Sequence, residues 1–145
     1  MRLSFALLLL VLSSVSLFAQ GKKNKKAPQH RVVIQLSNGD SLTHYGLMNN
    51  LQNLRQGWPE LKIAVVCHGP GMKLLHTDKS QFLKEVALYT EQGVEFVACR
   101  NTMKTKNIPE EKVFAKAKRV DMGLKEVIER QEQGWTYLKA GVTGN

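Results

Sequence analysis

Cys99 closes the apolar stretch VEFVAC, Val94–Cys99, and is followed at once by Arg100, Asn101 and Thr102. A cysteine in that setting is the chain's sharpest candidate nucleophile. The thiolate is the reactive form, and two neighbours favour it: the positive charge of Arg100 and the unpaired N–H groups of a helix expected to begin there. A second reading carries equal weight. A cysteine that ends a buried strand often acts as a small hydrophobe with no chemistry at all.

The remaining candidates surround Cys99 only if the fold brings them there. Cys67 ends another apolar run, and His68 follows it in the tetrapeptide HGPG, His68–Gly71. His68 is placed to accept a proton from a nearby thiol, or simply to hydrogen-bond within its loop. Gly69 and Gly71 suit a tight turn whose backbone could approach a small ligand. Asn38, in the loop Ser37–Asp40, and Asn101 with Thr102 complete the candidate ligand-binding set; Asp40 argues against a strongly anionic ligand at the first loop. His30, His44, His68 and His76 fall into neither H-x-x-x-H nor H-E-x-x-H spacing, so no metal site is expected. HGPG matches neither the P-loop nor G-x-G-x-x-G, and no cofactor is expected. There is no C-x-x-C.

The elements that would position these residues are readable from patterning. RVVIQL, LKIAVVC and VEFVAC are compact apolar runs suited to strands buried on both faces. Asp40 or Ser41 can cap a helix carrying Leu47, Met48, Leu51 and Leu54, closed by Gly57 and Pro59. Asp78 can cap a second, with Phe82, Val86 and Tyr89 on one face and Gly93 beyond its end. One or two helical turns are expected over Arg100–Asn107, and a short helix with Pro109 at its first position and Glu110 and Glu111 in its first turn. Asp121 can cap a last helix bearing Leu124, Val127 and Ile128, with Glu126 and Arg130 paired one turn apart. Gly134 ends it, and Trp135–Ala140 reads as a final strand. Trp135 and Tyr137 suit a core or a subunit interface. Residues 113–120 give no clear pattern. Strands alternating with helices predict a layered α/β domain with a mostly parallel sheet. In such a sheet ligands sit at the C-terminal ends of the strands. If the first three strands are neighbours, the loops after Leu36, Cys67 and Cys99 share one rim.

Charge and the first twenty residues set the compartment. MRLSFALLLLVLSSVSLFAQ has one basic residue, a short apolar run and then small and polar residues, the order of a secretory signal peptide, with cleavage expected after Ala19. The run is too short, and too broken by serines, for a membrane span. The next segment, residues 20–29, holds four lysines and no apolar periodicity, and reads as a disordered basic tether. From His30 onward there are 16 basic and 12 acidic side chains, so the domain itself is only mildly basic. It shows no basic stripe interleaved with aromatics, which argues against a nucleic-acid partner. The expected location is periplasmic or secreted. Export makes a Cys67–Cys99 disulfide conceivable, although adjacent parallel strands seldom offer the Cβ vectors it needs.

HGPGMKLL, GVEFVACRNTM and the closing QGWTYLKAG together resemble the DsrE/DsrF-like family, and the resemblance runs over nearly all of residues 31–141. It implies an α/β fold, a three-layer α/β/α domain around a five-stranded, mostly parallel sheet. It also implies homo-oligomers, trimers or hexamers, and sulfur-relay chemistry in which a cysteine accepts persulfide sulfur from a donor protein and passes it on. Cys99 is the position that matches; Cys67 matches none. Two functions follow as expectations: a cysteine-based sulfur acceptor using Cys99, Arg100 and His68, or a non-catalytic oligomeric module binding a small ligand or partner at the same rim.

Overall fold

The computed structural model describes residues 29–141. The segments read as signal peptide, 1–19, and basic tether, 20–29, lie outside the described residues but for Gln29. Five strands form one sheet: β1 Arg31–Leu36, β2 Lys62–Cys67, β3 Val94–Cys99, β4 Lys118–Val120 and β5 Thr136–Lys139. Their order is β4-β3-β2-β1-β5 and every pairing is parallel. The chain steps outward from β1 to β4, then crosses the whole sheet to lay β5 against the free edge of β1.

That path decides which layer covers which face. On one face Ile34, Leu36, Val65, Phe96 and their neighbours pack under the helices α1 Ser41–Gly57 and α2 Leu83–Glu91, with a 3-10 helix, Gly69–Leu75, beside them. On the other face Val33, Val66 and Val97 meet Val127 of the return helix α4, Gly123–Glu132. Alternate side chains of a strand point to opposite faces, so the buried runs of β1–β3 feed both layers. A six-residue helix, α3 Arg100–Thr105, follows β3 directly.

Asp40 caps α1, accepting the Thr43 N–H and hydroxyl at 2.7 Å each. Gly93 and Gly134 take positive φ just beyond α2 and α4, as expected of helix-ending glycines. Glu126 and Arg130 pair as the helical spacing predicts. Arg130 is buried, and it can be because Glu126 and Glu95 hold its guanidinium while the Trp135 ring lies 4.5 Å beneath it.

Several expectations need correction. His68–Gly71 is not a loop but the entrance to the 3-10 helix, tightened because a side chain on Gly71 would meet the Leu36 carbonyl oxygen at 2.2 Å. Asp78 caps nothing; its carboxylate pairs with Lys112 at 2.7 Å, and α2 begins later, after Phe82. Asp121 likewise leaves the cap of α4 to Met122. Pro109 stands before the short 3-10 turn Glu110–Lys112 rather than inside it. Leu124 and Ile128 of α4 face outward, 50% and 55% exposed, while Gly123, Val127 and Arg130 face the sheet. β5 is shorter than expected and exposed along its length.

Candidate functional site

The β2–β3 ladder pairs Cys67 with Ala98. The two cysteines therefore sit one residue out of step and point to opposite faces. Cys67 belongs to the core beneath α1 and α2, whereas Cys99 faces α4. Both are free thiols, and this placement rules out a bridge without rebuilding a strand. Burial alone pushes the Cys67 thiol far above its ordinary range. It is inert packing.

Cys99 is different. It is only 3% exposed, and burial by itself would raise its pKa. Hydrogen-bond donors outweigh that and bring it below the usual cysteine value. The largest contribution is the Thr102 hydroxyl, followed by the backbone N–H groups of Gly123, Thr102 and Asn101. The Gly123 N–H is the best aligned, donating to Sγ at 3.2 Å. The Asn101 N–H, which donates to the Asp121 carbonyl at 3.0 Å, contributes least. Thr102 is itself fixed, since its oxygen accepts the Gly69 N–H at 2.9 Å. The start of α4 thus donates to the sulfur, and the start of α3 lies beside it.

Arg100 takes little part. Its guanidinium is exposed and lies 3.7 Å from Asp121, itself almost fully solvated. The thiolate is stabilised by dipoles, not by this charge. Gly69 and Gly71 hold the 3-10 helix against β1 and α3: Gly69 has φ near +52° and bonds Thr102. Asn38 serves its own loop, with its side chain on the Asp40 N–H and its carbonyl against His44 Nε2.

His68 continues the β2 pleat one step beyond the ladder, so it stands beside Cys99 on the same face. Gly123 fits between them. A Cβ there would lie 3.0 Å from that of His68 and 3.3 Å from that of Cys99. The imidazole bonds away from the sulfur, to Gln35 at 2.8 Å, and Gln35 in turn bonds Tyr137 of β5. Burial lowers the His68 pKa and so favours the neutral ring.

The sequence reading therefore names Cys99, His68 and Thr102, which the fold brings together, and Arg100 and Asn38, which it turns elsewhere. It misses Gln35, Tyr137 and Gly123. Two signals were present. Gln35 is the one polar residue of RVVIQL besides the leading Arg31, and Gly123 sits where a helix begins rather than where it ends. Among the described residues no group of three His, Cys, Asp or Glu is arranged to hold a metal ion, and no helix is long and apolar enough to cross a membrane. A groove of about 660 Å³ between α1 and α2, lined by Gln52, Arg55 and Tyr89 among others, lies on the layer opposite Cys99. Its lining includes no cysteine, serine or histidine.

The sequence pattern of the DsrE/DsrF-like family matches residues 31–140. A solved structure of a protein of unknown function from Methanobacterium thermoautotrophicum is similar over 77% of this chain and 99% of its own, with 29% identity and a TM-score of 0.73. A conserved protein of unknown function from Bacteroides thetaiotaomicron is similar over 75% of this chain and 93% of its own, with 18% identity and a TM-score of 0.60, a likeness of fold. No curated protein matches.

Proposed function

The chain belongs to the DsrE/DsrF-like family, and from that premise we propose that it is an exported sulfur acceptor in which Cys99 carries the sulfur. The supporting observation is the environment of one atom: a sulfur at the C-terminal rim, nearly buried, yet held toward its thiolate by Thr102 and Gly123. The step is a transfer of sulfane sulfur from a persulfide donor. Cys99 Sγ attacks the outer sulfur of the donor, a new S–S bond forms at Cys99, and the donor's S–S bond breaks. Its electron pair leaves on the donor thiolate, which takes a proton from solvent. No external oxidant is required.

The apolar run and serines of residues 5–16 support export. Exposed Leu124, Ile128, Tyr137 and Leu138 on α4 and β5 support self-association, and the trimer or hexamer is what the family resemblance implies.

A second reading, a non-catalytic module binding a small ligand or partner at the rim, is favoured by the near-complete burial of Cys99. Native mass spectrometry of protein drawn from the periplasm separates the two. The acceptor reading expects a chain lacking its first 19 residues, assembled as an oligomer. It should gain one sulfur atom from a persulfide donor, and Cys99→Ser should lose that gain without unfolding. A wild-type chain that takes up neither sulfur nor an alkylating reagent would leave only the binding module.

A further inference from the structure

A diagonal file of side chains leads to the Cys99 site from the far edge of the sheet. In the parallel register Val33 stands beside Tyr137, Val66 beside Gln35, and the next same-face position on β2 is His68. Each step from Tyr137 to Gln35 to His68 moves one strand across and two residues up. The Tyr137 hydroxyl donates to the Gln35 amide oxygen. The Gln35 amide nitrogen then faces His68 Nε2 at 2.8 Å and can only donate to it. In this orientation of the amide Nε2 is an acceptor, which places the ring proton on Nδ1. Nδ1 makes no hydrogen bond to any described residue. Gln35 and His68 are half-buried and Tyr137 is exposed, so the file opens to solvent at its outer end.

We propose that Gln35 and Tyr137 are positioning residues for the Cys99 site, holding His68 as a neutral imidazole with its proton on Nδ1. The inference rests on the reading of Cys99 as a sulfur acceptor and adds a division of labour to it. Thr102 and Gly123 favour the thiolate, so no base is needed. His68 offers a hydrogen bond to the anionic sulfur of an incoming or departing substrate, and its filled Nε2 takes no proton from Cys99. The neutral donor also avoids a fixed ion pair that would trap the thiolate.

The test is ¹⁵N NMR of the histidine rings in the mature chain, paired with the rate of sulfur loading at Cys99, both at about pH 9, where the imidazole is neutral. Wild type should show protonated Nδ1. Gln35→Glu keeps the size of the side chain but presents a carboxylate that only accepts, so the proton should move to Nε2. Loading should then slow ~10-fold or more, the scale of one hydrogen bond to a charged group. Tyr137→Phe, which leaves the fold least disturbed, should give a mixture of tautomers and a smaller slowing. Protonated Nε2 in wild type would overturn the proposal, as would a Gln35→Glu protein that moves the proton yet loads at the wild-type rate. If wild-type Cys99 takes up no sulfur at all, the acceptor reading falls and the role of His68 in loading with it, while the ring shifts still decide the tautomer.

Discussion

Thr102 does more for Cys99 than the arginine next to it in sequence. A guanidinium in solvent is screened and is already shared with Asp121. A hydroxyl that is buried and fixed by the Gly69 N–H acts on the sulfur with little screening. Thr102→Val removes the hydroxyl, and with it the Gly69 bond, while preserving shape. The midpoint of Cys99 alkylation against pH should rise toward the ordinary thiol value, and Thr102→Ser should restore it. Unfolding free energy should fall by about 1–3 kcal/mol, because the Gly69 N–H is left unpaired. Reaction of each peptide with iodoacetamide across pH, read by mass spectrometry, checks this. Cys67 should stay unmodified in the native protein throughout. An unshifted midpoint in Thr102→Val would mean that backbone donors alone set the thiol.

At the scale of elements, what was legible depended on burial. β1 and β3 match their apolar runs residue for residue, because strands buried on both faces are mostly apolar, with Arg31, Gln35 and Glu95 at the less buried positions. β4, with Lys118, Arg119 and Val120, has no such pattern. It is a three-residue edge strand whose arginine bonds the carbonyls of Phe114 and Ala115, and only pairing with β3 defines it. Asp78 and Asp121 look like caps but are drawn to Lys112 and Arg100, a tertiary choice that local sequence does not record. The site was legible where one residue type carries the chemistry, as at Cys99. It was faint where the residue matters through what it lacks, as at Gly123, whose signal was its place at a helix start. α4 can start directly over the sulfur because position 123 has no side chain. In Gly123→Ala the new methyl meets Cβ atoms of His68 and Cys99 at 3.0 and 3.3 Å, distances that require the helix start to lift. Its N–H should withdraw from Sγ, raise the alkylation midpoint and slow sulfur loading several-fold, on the scale of one lost hydrogen bond. Unchanged circular dichroism beside that shift would place the effect at the site. An unchanged midpoint would show that the N–H of α4 contributes nothing.

The whole molecule is built asymmetrically, with two helices and a 3-10 helix over one face and α4 alone over the other, and its polar groups are buried in proportion. His44 lies under the thicker layer, 1% exposed, its Nε2 bonded to the Asn38 carbonyl. Burial lowers the pKa of His44, His68 and His76. The unfolded chain therefore binds these protons at a higher pH than the folded chain does. In that window stability falls as pH falls, beginning near the ordinary histidine value of about 6.5. Carboxylates repeat the sign lower down. Asp40 is lowered by its bonds to Thr43, Asp78 by Lys112 and Glu91 by Lys116. In Glu126, burial opposes the shift but Arg130 and Lys118 overcome it. Their contribution is present above about pH 4.5 and is lost below it. The melting temperature should therefore hold steady from pH 8 to 7, decline from 6.5 toward 5, and drop again below 4.5. His44→Gln, which keeps a donor for the Asn38 carbonyl but cannot titrate, should flatten the upper decline more than His76→Gln, whose parent side chain lies closer to solvent. Thermal unfolding of the three proteins in matched ionic strength reads this directly. A melting temperature that stays level or rises between pH 6.5 and 5 would mean that the buried histidines are not held neutral by the fold.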